Sequence, residues 1–382
     1  MRAFLLLVAC FQSEAPGEVQ GTEPDDDPRT AAREVPDESA SGFRLVVPAE
    51  RSGAHASARC NDGTAAGFSL RRTDSDTWVV RLDGGFFCDD VRTPCSGRAR
   101  RLTTARRGPG GPLQDGAEVS VPELGLFATD PVKNPLFHEA NHAALHYCSS
   151  DLWLGNGAER QVTTGSAEGW WFAGRSVLEA DLKTLVELGM DPTDADTRIL
   201  IVGHSAGGMG VVGNLGLLTE VLGPAVQAGR VHVVLDGAWV PPQPLATTPR
   251  ANRWGPLLPD CEARMTSSGR DPLACVFGPE WYPHWAESGI PVLVQQSGLD
   301  TTQLKAYAVP RDALHAWQAG ARDSLTDVAW LFSGGHRYHT VTFQERLSVG
   351  PPADPFSDLL RDFWVGEEPR RTVFRYAESE QE

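Results

Sequence analysis

The sequence predicts an α/β fold, a mostly parallel sheet with helices on both faces, and three observations carry that prediction. Short β-rich apolar runs alternate with helical stretches; one of the runs, TWVVRL, reads as a buried strand; and a glycine-rich turn joins another run directly to a helix. In chain order, Thr77–Leu82 (TWVVRL) is a buried strand ended by Asp83-Gly84-Gly85, and Ala143–Tyr147 is a second apolar run. Arg175–Leu188 is a helix, with Leu178, Leu182 and Leu185 at i, i+4 and i+7 and Gly189 as its stop. Arg198–Val202 (RILIV) is a strand and residues 208–222 are a helix. Val231–Leu235, Pro291–Gln295 and Val328–Phe332 are further strands, with a helical stretch around Ala313, Leu314 and Trp317 between the last two. No internal repeat is present. Residues 43–365 read as one domain with loop insertions, including 241–290, followed by a polar, peripheral tail over 366–382.

Composition bounds the class. The chain has 382 residues, of which 41% are hydrophobic and 22% charged, as in a globular protein. The net charge is −16, and nine acidic residues against Arg29 and Arg33 concentrate nearly half of it in residues 11–40. That segment is rich in Pro, Ala and Ser and cannot bury enough apolar surface to offset ordering entropy, so 11–42 reads as a disordered linker. No basic face is available to displace counterions, which argues against a nucleic-acid partner. Met1-Arg2, an apolar run over Ala3–Ala9 and then Cys10 have the parts of a secretory signal. Leu7-Val8-Ala9-Cys10 resembles the lipobox of bacterial lipoproteins, in which the cysteine is lipidated, though at nine residues before the cysteine the signal is short. The expectation is an exported protein, held to the envelope membrane through a lipid on Cys10 or otherwise secreted. Setting Cys10 aside leaves six cysteines, which allow fifteen pairings. The local closures Cys88–Cys95 and Cys261–Cys275 leave Cys60–Cys148. No pair has CxxC spacing, so structural disulfides are expected rather than a redox or zinc site.

Gly203-His204-Ser205-Ala206-Gly207 matches G-x-S-x-G. Its place between the strand RILIV and a helix gives it value, because a nucleophile elbow needs a tight strand-to-helix turn with no side chains at its glycines. Ser205 is thereby raised above the sheet edge at a helix N-terminus, and an α/β-hydrolase-type catalytic domain is the fold implied. A phosphate-binding loop is excluded, since neither G-x-x-x-x-G-K-[ST] nor G-x-G-x-x-G fits.

A family resemblance becomes specific at this point. Cys60-Asn61-Asp62-Gly63-Thr64-Ala65-Ala66-Gly67 is similar to the CNDGS-x-AG opening of the pectin acetylesterase or Notum-type carboxylesterase family. Further similar segments follow in the family's order: Leu82–Cys88, Tyr147-Cys148-Ser149-Ser150-Asp151-Leu152-Trp153, His204–Gly208, Asp236–Trp239 and Asp300–Leu304. The resemblance implies an α/β-hydrolase fold acting on carboxylic esters, either O-acetyl groups of a polysaccharide or a longer O-acyl group. It implies Ser205 as nucleophile, Asp300 as triad acid, and an oxyanion hole of backbone N–H groups at Gly85, Phe86 and Ala206. Phe86 stands where the family has Trp, and His204 where it has a small residue.

A serine hydroxyl needs a histidine to take its proton, and the imidazole needs a carboxylate to hold its tautomer. The chain order Ser, acid, His favours Asp300, which follows the strand PVLVQ, over Asp236, whose alternative reading is a structural carboxylate holding the Gly237–Trp239 turn. Three histidines follow Asp300. His315 lies in a helical stretch, His336 reads as loop punctuation, and His339 best resembles the family's catalytic histidine. Catalysis through an acyl-enzyme, without cofactor or metal, is the expected function. The sequence also admits two other readings. His138-Glu139-Ala140-Asn141-His142 is a formal H-E-x-x-H with His146 four residues on, a zinc motif only if helical; Asn134-Pro135 upstream and the strand downstream point to loop and strand instead. A non-catalytic binding lipoprotein of the same fold is disfavoured by the survival of all three triad candidates. Trp170, Trp171, Trp239 and Phe86 are candidate pocket walls. Oligomeric state leaves no trace in the sequence.

Overall fold

The computed structural model describes residues 42–85, 87, 95, 107–108, 111–112, 114–155, 169–243, 259–307, 309–333, 339–342 and 355–373. Among these the strands are β1 (Arg44–Val46), β2 (Phe68–Arg71), β3 (Thr77–Leu82), β4 (Arg107–Gly108), β5 (Gly111–Pro112), β6 (Asn141–Leu145), β7 (Arg198–His204), β8 (Val231–Asp236), β9 (Val292–Gln295), β10 (Trp330–Ser333) and β11 (Arg371–Val373). The helices are α1 (Pro48–Arg51), α2 (Gly174–Glu187), α3 (Ala206–Gly213), α4 (Leu215–Val221), α5 (Gly223–Gln227), α6 (Pro259–Ser267), α7 (Gly278–Glu287), α8 (Thr301–Ala306), α9 (Leu314–Ser324) and α10 (Phe356–Val365).

Nine strands form one sheet in the order β1-β2-β6-β3-β7-β8-β9-β10-β11, and β4-β5 is a separate hairpin. The β1–β2 and β2–β6 pairings are antiparallel. Every pairing from β6 to β11 is parallel. The sheet is therefore of the α/β-hydrolase type that the sequence predicts. Burial on both faces follows from the strands' period of two: Ile199, Ile201, Val233 and Leu235 enter one core with α2 and α3, while Leu200, Val202 and Val234 enter a second with Phe356, Leu360 and Phe363 of α10.

Several sequence expectations are corrected in detail. The single helix expected over 208–222 is two helices broken at Asn214, whose side chain donates to the carbonyls of Gly210 (2.8 Å) and Trp153 (2.9 Å). The insertion 241–290 contains α6 and α7, and the Cys261–Cys275 disulfide ties α6 to the short 3-10 turn Pro272–Val276 that precedes α7. The tail expected from 366 contains β11, with Thr372 buried opposite Phe332; backbone pairing places a polar segment in the sheet although its composition looks peripheral. Cys60–Cys148 is the second disulfide formed as expected. Of the third expected pair, Cys88 lies outside the described residues, as do Cys10, the linker apart from its last residue Gly42, and tail residues 374–382. Among the described residues no helix is long and apolar enough to cross a membrane.

Candidate active site

Strand β7 delivers Ser205 to the carboxyl edge of the sheet in a strained turn, at φ 54° and ψ −116°. A non-glycine residue there is costly and persists only where its surroundings hold it. Here the Ser205 N–H donates to the Asp236 carbonyl at 2.8 Å, and the Ser205 carbonyl accepts from Gly208 at 2.9 Å. The elbow also needs its glycines: a Cβ at Gly207 would overlap the Leu82 carbonyl at the end of β3, and one at Gly203 would lie 2.5 Å from the Gly208 Cα.

Asp300 sits just after β9 as the N-cap of α8, fully buried, with Oδ1 accepting from the N–H groups of Thr302 (3.0 Å) and Gln303 (2.9 Å). Its Oδ2 accepts from Gln296 Nε2 at 3.1 Å and from His339 Nδ1 at 2.6 Å. The other ring nitrogen, His339 Nε2, lies 2.7 Å from Ser205 Oγ. One hydrogen-bonded chain thus links the hydroxyl, the imidazole and the carboxylate, with Nδ1 as donor leaving Nε2 free to accept the serine proton. Burial works against a charged His339, but the hydrogen bond and charge of Asp300, helped by Asp236, outweigh it and raise its pKa above the ordinary 6.5.

Asp236, the rival acid, has a different task from the one its sequence position suggests. Rather than holding the Gly237–Trp239 turn, its carboxylate accepts from the N–H groups of Val341 (3.0 Å) and Thr342 (2.7 Å) and from the Thr342 hydroxyl. It therefore fastens the segment that carries His339. Burial raises its pKa to about 6, against the opposing effect of those hydrogen bonds and of His339. His204 Nε2 lies 3.0 Å from the Thr340 hydroxyl, a second tie to the same segment. Burial first, then the charges of His339 and Arg81, push His204 down to about 3 against the pull of Asp83, so a neutral imidazole precedes Ser205. His315 is exposed on α9, and His336 lies outside the described residues.

Of the three oxyanion candidates, Gly85 and Ala206 line the same pocket as Ser205 and His339, and Phe86 lies outside the described residues. Ala206 heads α3, where no preceding helical carbonyl takes its N–H. The pocket has a cavity volume of about 110 Å³, opens to solvent, and is walled largely by apolar side chains including Phe87, Leu152, Met209, Val240, Val276 and Tyr307. The tryptophans considered from sequence do not line it: Trp239 packs on Trp281, and Trp170 stacks on Phe172. The aliphatic wall carries no sequence signal, because scattered Val, Leu and Met look like any core.

The H-E-x-x-H segment is a turn followed by β6, so its histidines share no helical face. His142 is buried against Phe127 with Nδ1 2.6 Å from Arg71, and His146 pairs with Ser69 on the neighbouring strand. Burial, reinforced by Arg71, lowers the His142 pKa to about 3.

The pectinacetylesterase family pattern matches residues 41–328. The palmitoleoyl-protein carboxylesterase NOTUM of Drosophila melanogaster is 30% identical over 315 residues, covering 76% of this chain and 44% of that protein. Its Homo sapiens counterpart is 28% identical over 272 residues, 65% of this chain and 50% of that protein. This chain spans about half the length of these curated relatives. The crystal structure of the Wnt deacylase Notum from Drosophila superposes with a TM-score of 0.71 at 28% identity, covering 87% of this chain and 97% of that one. With the family pattern running through both the elbow and Asp300, and the fold shared over most of its length, the chain belongs to the pectinacetylesterase family.

Proposed function

We propose that the protein is a serine carboxylesterase that works through an acyl-enzyme on Ser205. His339 Nε2 takes the hydroxyl proton as Ser205 Oγ bonds to the ester carbonyl carbon, and Asp300 steadies the imidazolium that results. Negative charge gathering on the carbonyl oxygen is met by the N–H groups of Gly85 and Ala206, with Phe86 assigned to the same role from the family resemblance. The C–O bond then breaks as His339 gives its proton to the departing alcohol. Water, deprotonated by His339, attacks the acyl carbon, and Ser205 Oγ leaves with that proton. The observation that carries this reading is the Ser205–His339–Asp300 hydrogen-bonded chain, whose Ser205 and His339 line an apolar pocket.

The test is hydrolysis of p-nitrophenyl esters. Ser205→Ala and His339→Ala each lose roughly 10⁴-fold or more in kcat, while folded variants that keep more than a few per cent of activity would contradict the proposal. An ester series from acetate to palmitate identifies the acyl group: the family name points to acetyl esters, the NOTUM relatives to a palmitoleoyl chain on protein. We also propose export, supported by two disulfides among the described residues, with a lipid anchor on Cys10. Mass spectrometry of protein from its native envelope then finds Cys10 carrying diacylglycerol; an unmodified Met1 N-terminus contradicts it.

A further inference from the structure

The segment Tyr147–Trp153 holds three of the four described non-glycine residues with positive φ: Ser150 (56°), Leu152 (58°) and Trp153 (64°). Bulky side chains avoid that region, so the concentration of strain in one turn calls for whatever holds it. Asp151, fully buried, supplies much of the hold. Its carboxylate accepts from the Ser149 hydroxyl (2.6 Å) and from the N–H groups of Trp153 (3.0 Å), Gly155 (3.2 Å) and Gly174 (2.8 Å). Asn214 donates to the Trp153 carbonyl, and the Leu152 N–H donates to the Tyr147 hydroxyl at 2.8 Å.

The Trp153 indole N–H donates to the Asp83 carbonyl at 3.1 Å, two residues before Gly85. The Tyr147 ring lies so close to Gly85 that a Cβ there would come within 2.5 Å of it. On its other side Trp153 packs against α3, where a Cβ on Gly210 would lie 2.6 Å from the Trp153 Cβ. One side chain therefore touches both elements that carry candidate oxyanion donors: the end of β3 that leads to Gly85, and the helix headed by Ala206.

We propose that Trp153 is a positioning residue that sets the spacing between the Gly85 and Ala206 N–H groups, with Tyr147 supporting it. The proposal rests on the serine-esterase reading and adds a residue to it. Donors fixed before reaction stabilise the developing oxyanion without reorganisation, and a small change in their spacing reduces that stabilisation while leaving ground-state binding alone. The strained turn fits such a role, because its conformation is fixed by the buried Asp151 rather than by the substrate.

The test uses the full chain with p-nitrophenyl acetate and an alkylboronic acid, which forms a tetrahedral adduct as Ser205 Oγ adds to boron and its proton passes to His339. Trp153→Phe keeps a ring but removes the indole donor; Tyr147→Phe keeps the ring and removes only the hydroxyl that anchors Leu152, so it preserves the fold even where the first variant does not. Expected for Trp153→Phe is a kcat loss of about tenfold with KM within about twofold, matched by an equal loss of boronate affinity. Tyr147→Phe shows the same pattern at about threefold. Wild-type kcat and boronate affinity in either folded variant, or a loss carried by KM, overturns the assignment. Ser205→Ala is run beside them, and turnover by that variant overturns the serine-esterase reading itself.

Discussion

His339 shows how a residue's chemistry is set by groups far from it in the chain. Burial opposes a charge on its ring, but Asp300 and, behind it, Asp236 outweigh that and raise its pKa, so the imidazole gives up its proton at a higher pH than an ordinary histidine. With His339 as the proposed base, kcat/KM rises with pH through one ionisation whose midpoint lies above 6.5, and His339→Ala abolishes that limb. Asp236→Asn removes a negative charge and one set of acceptors from the 341–342 backbone. It moves the midpoint down and lowers kcat by about tenfold or more; a midpoint that stays put contradicts the role given to Asp236. Ser205 and Asp300, which the structure brings together through His339, could be singled out in the sequence because each lies in a short motif at the end of a recognisable strand. Asp236's true partners were not, since Val341 lies 105 residues away and nothing in the local turn encodes the contact. Nor was the task of His204, whose meaning depends on Thr340, 136 residues on.

Among the elements, α2 was the easiest to read and contains the oddest residue. Leu178, Leu182 and Leu185 mark its buried face, and Asp181 lies on that face too, fully buried with neither oxygen hydrogen-bonded among the described residues. Burial raises its pKa well above 3.8, so above the unfolded value the folded state holds a proton that the unfolded chain has lost. Stability therefore falls as pH rises from the unfolded pKa toward the folded one. Asp181→Asn removes that cost, and its Tm exceeds wild type by about 2–4 °C or more near neutrality, with a smaller gain at about pH 5. An unchanged or lower Tm across that range refutes this account. Periodicity finds helices like α2 but misses β11, because three residues of a polar tail carry no period and only pairing with β10 defines them. The break at Asn214 is hidden for the same reason, its partner Trp153 belonging to a distant turn.

At the scale of the whole molecule, an antiparallel pair of strands, β1 and β2, extends a parallel α/β sheet, and a disulfide ties the segment before β2 to the end of β6. Cys60 and Cys148 are 88 residues apart, so their bond removes a large loop from the unfolded ensemble. Replacing both by Ser costs about 4–5 kcal/mol of stability, and replacing the pair Cys261 and Cys275, 14 apart, costs about 3. Denaturant titration checks the ranking, and equal or reversed losses would show that strain or residual structure dominates. The sheet's class and direction could be read from alternating strands and helices, while the edges, β1 and β11, could not, because edge strands are short and take their definition from neighbours. The proposed esterase activity depends on one covalent event, the transfer of an acyl group to Ser205. Mixing the protein with p-nitrophenyl acetate, quenching in acid within the first turnovers and mapping peptides by mass spectrometry tests it directly. The account predicts a single acetylated site at Ser205, abolished in Ser205→Ala and strongly reduced in His339→Ala. Acetyl on another residue at full turnover, or wild-type turnover by Ser205→Ala, would contradict it.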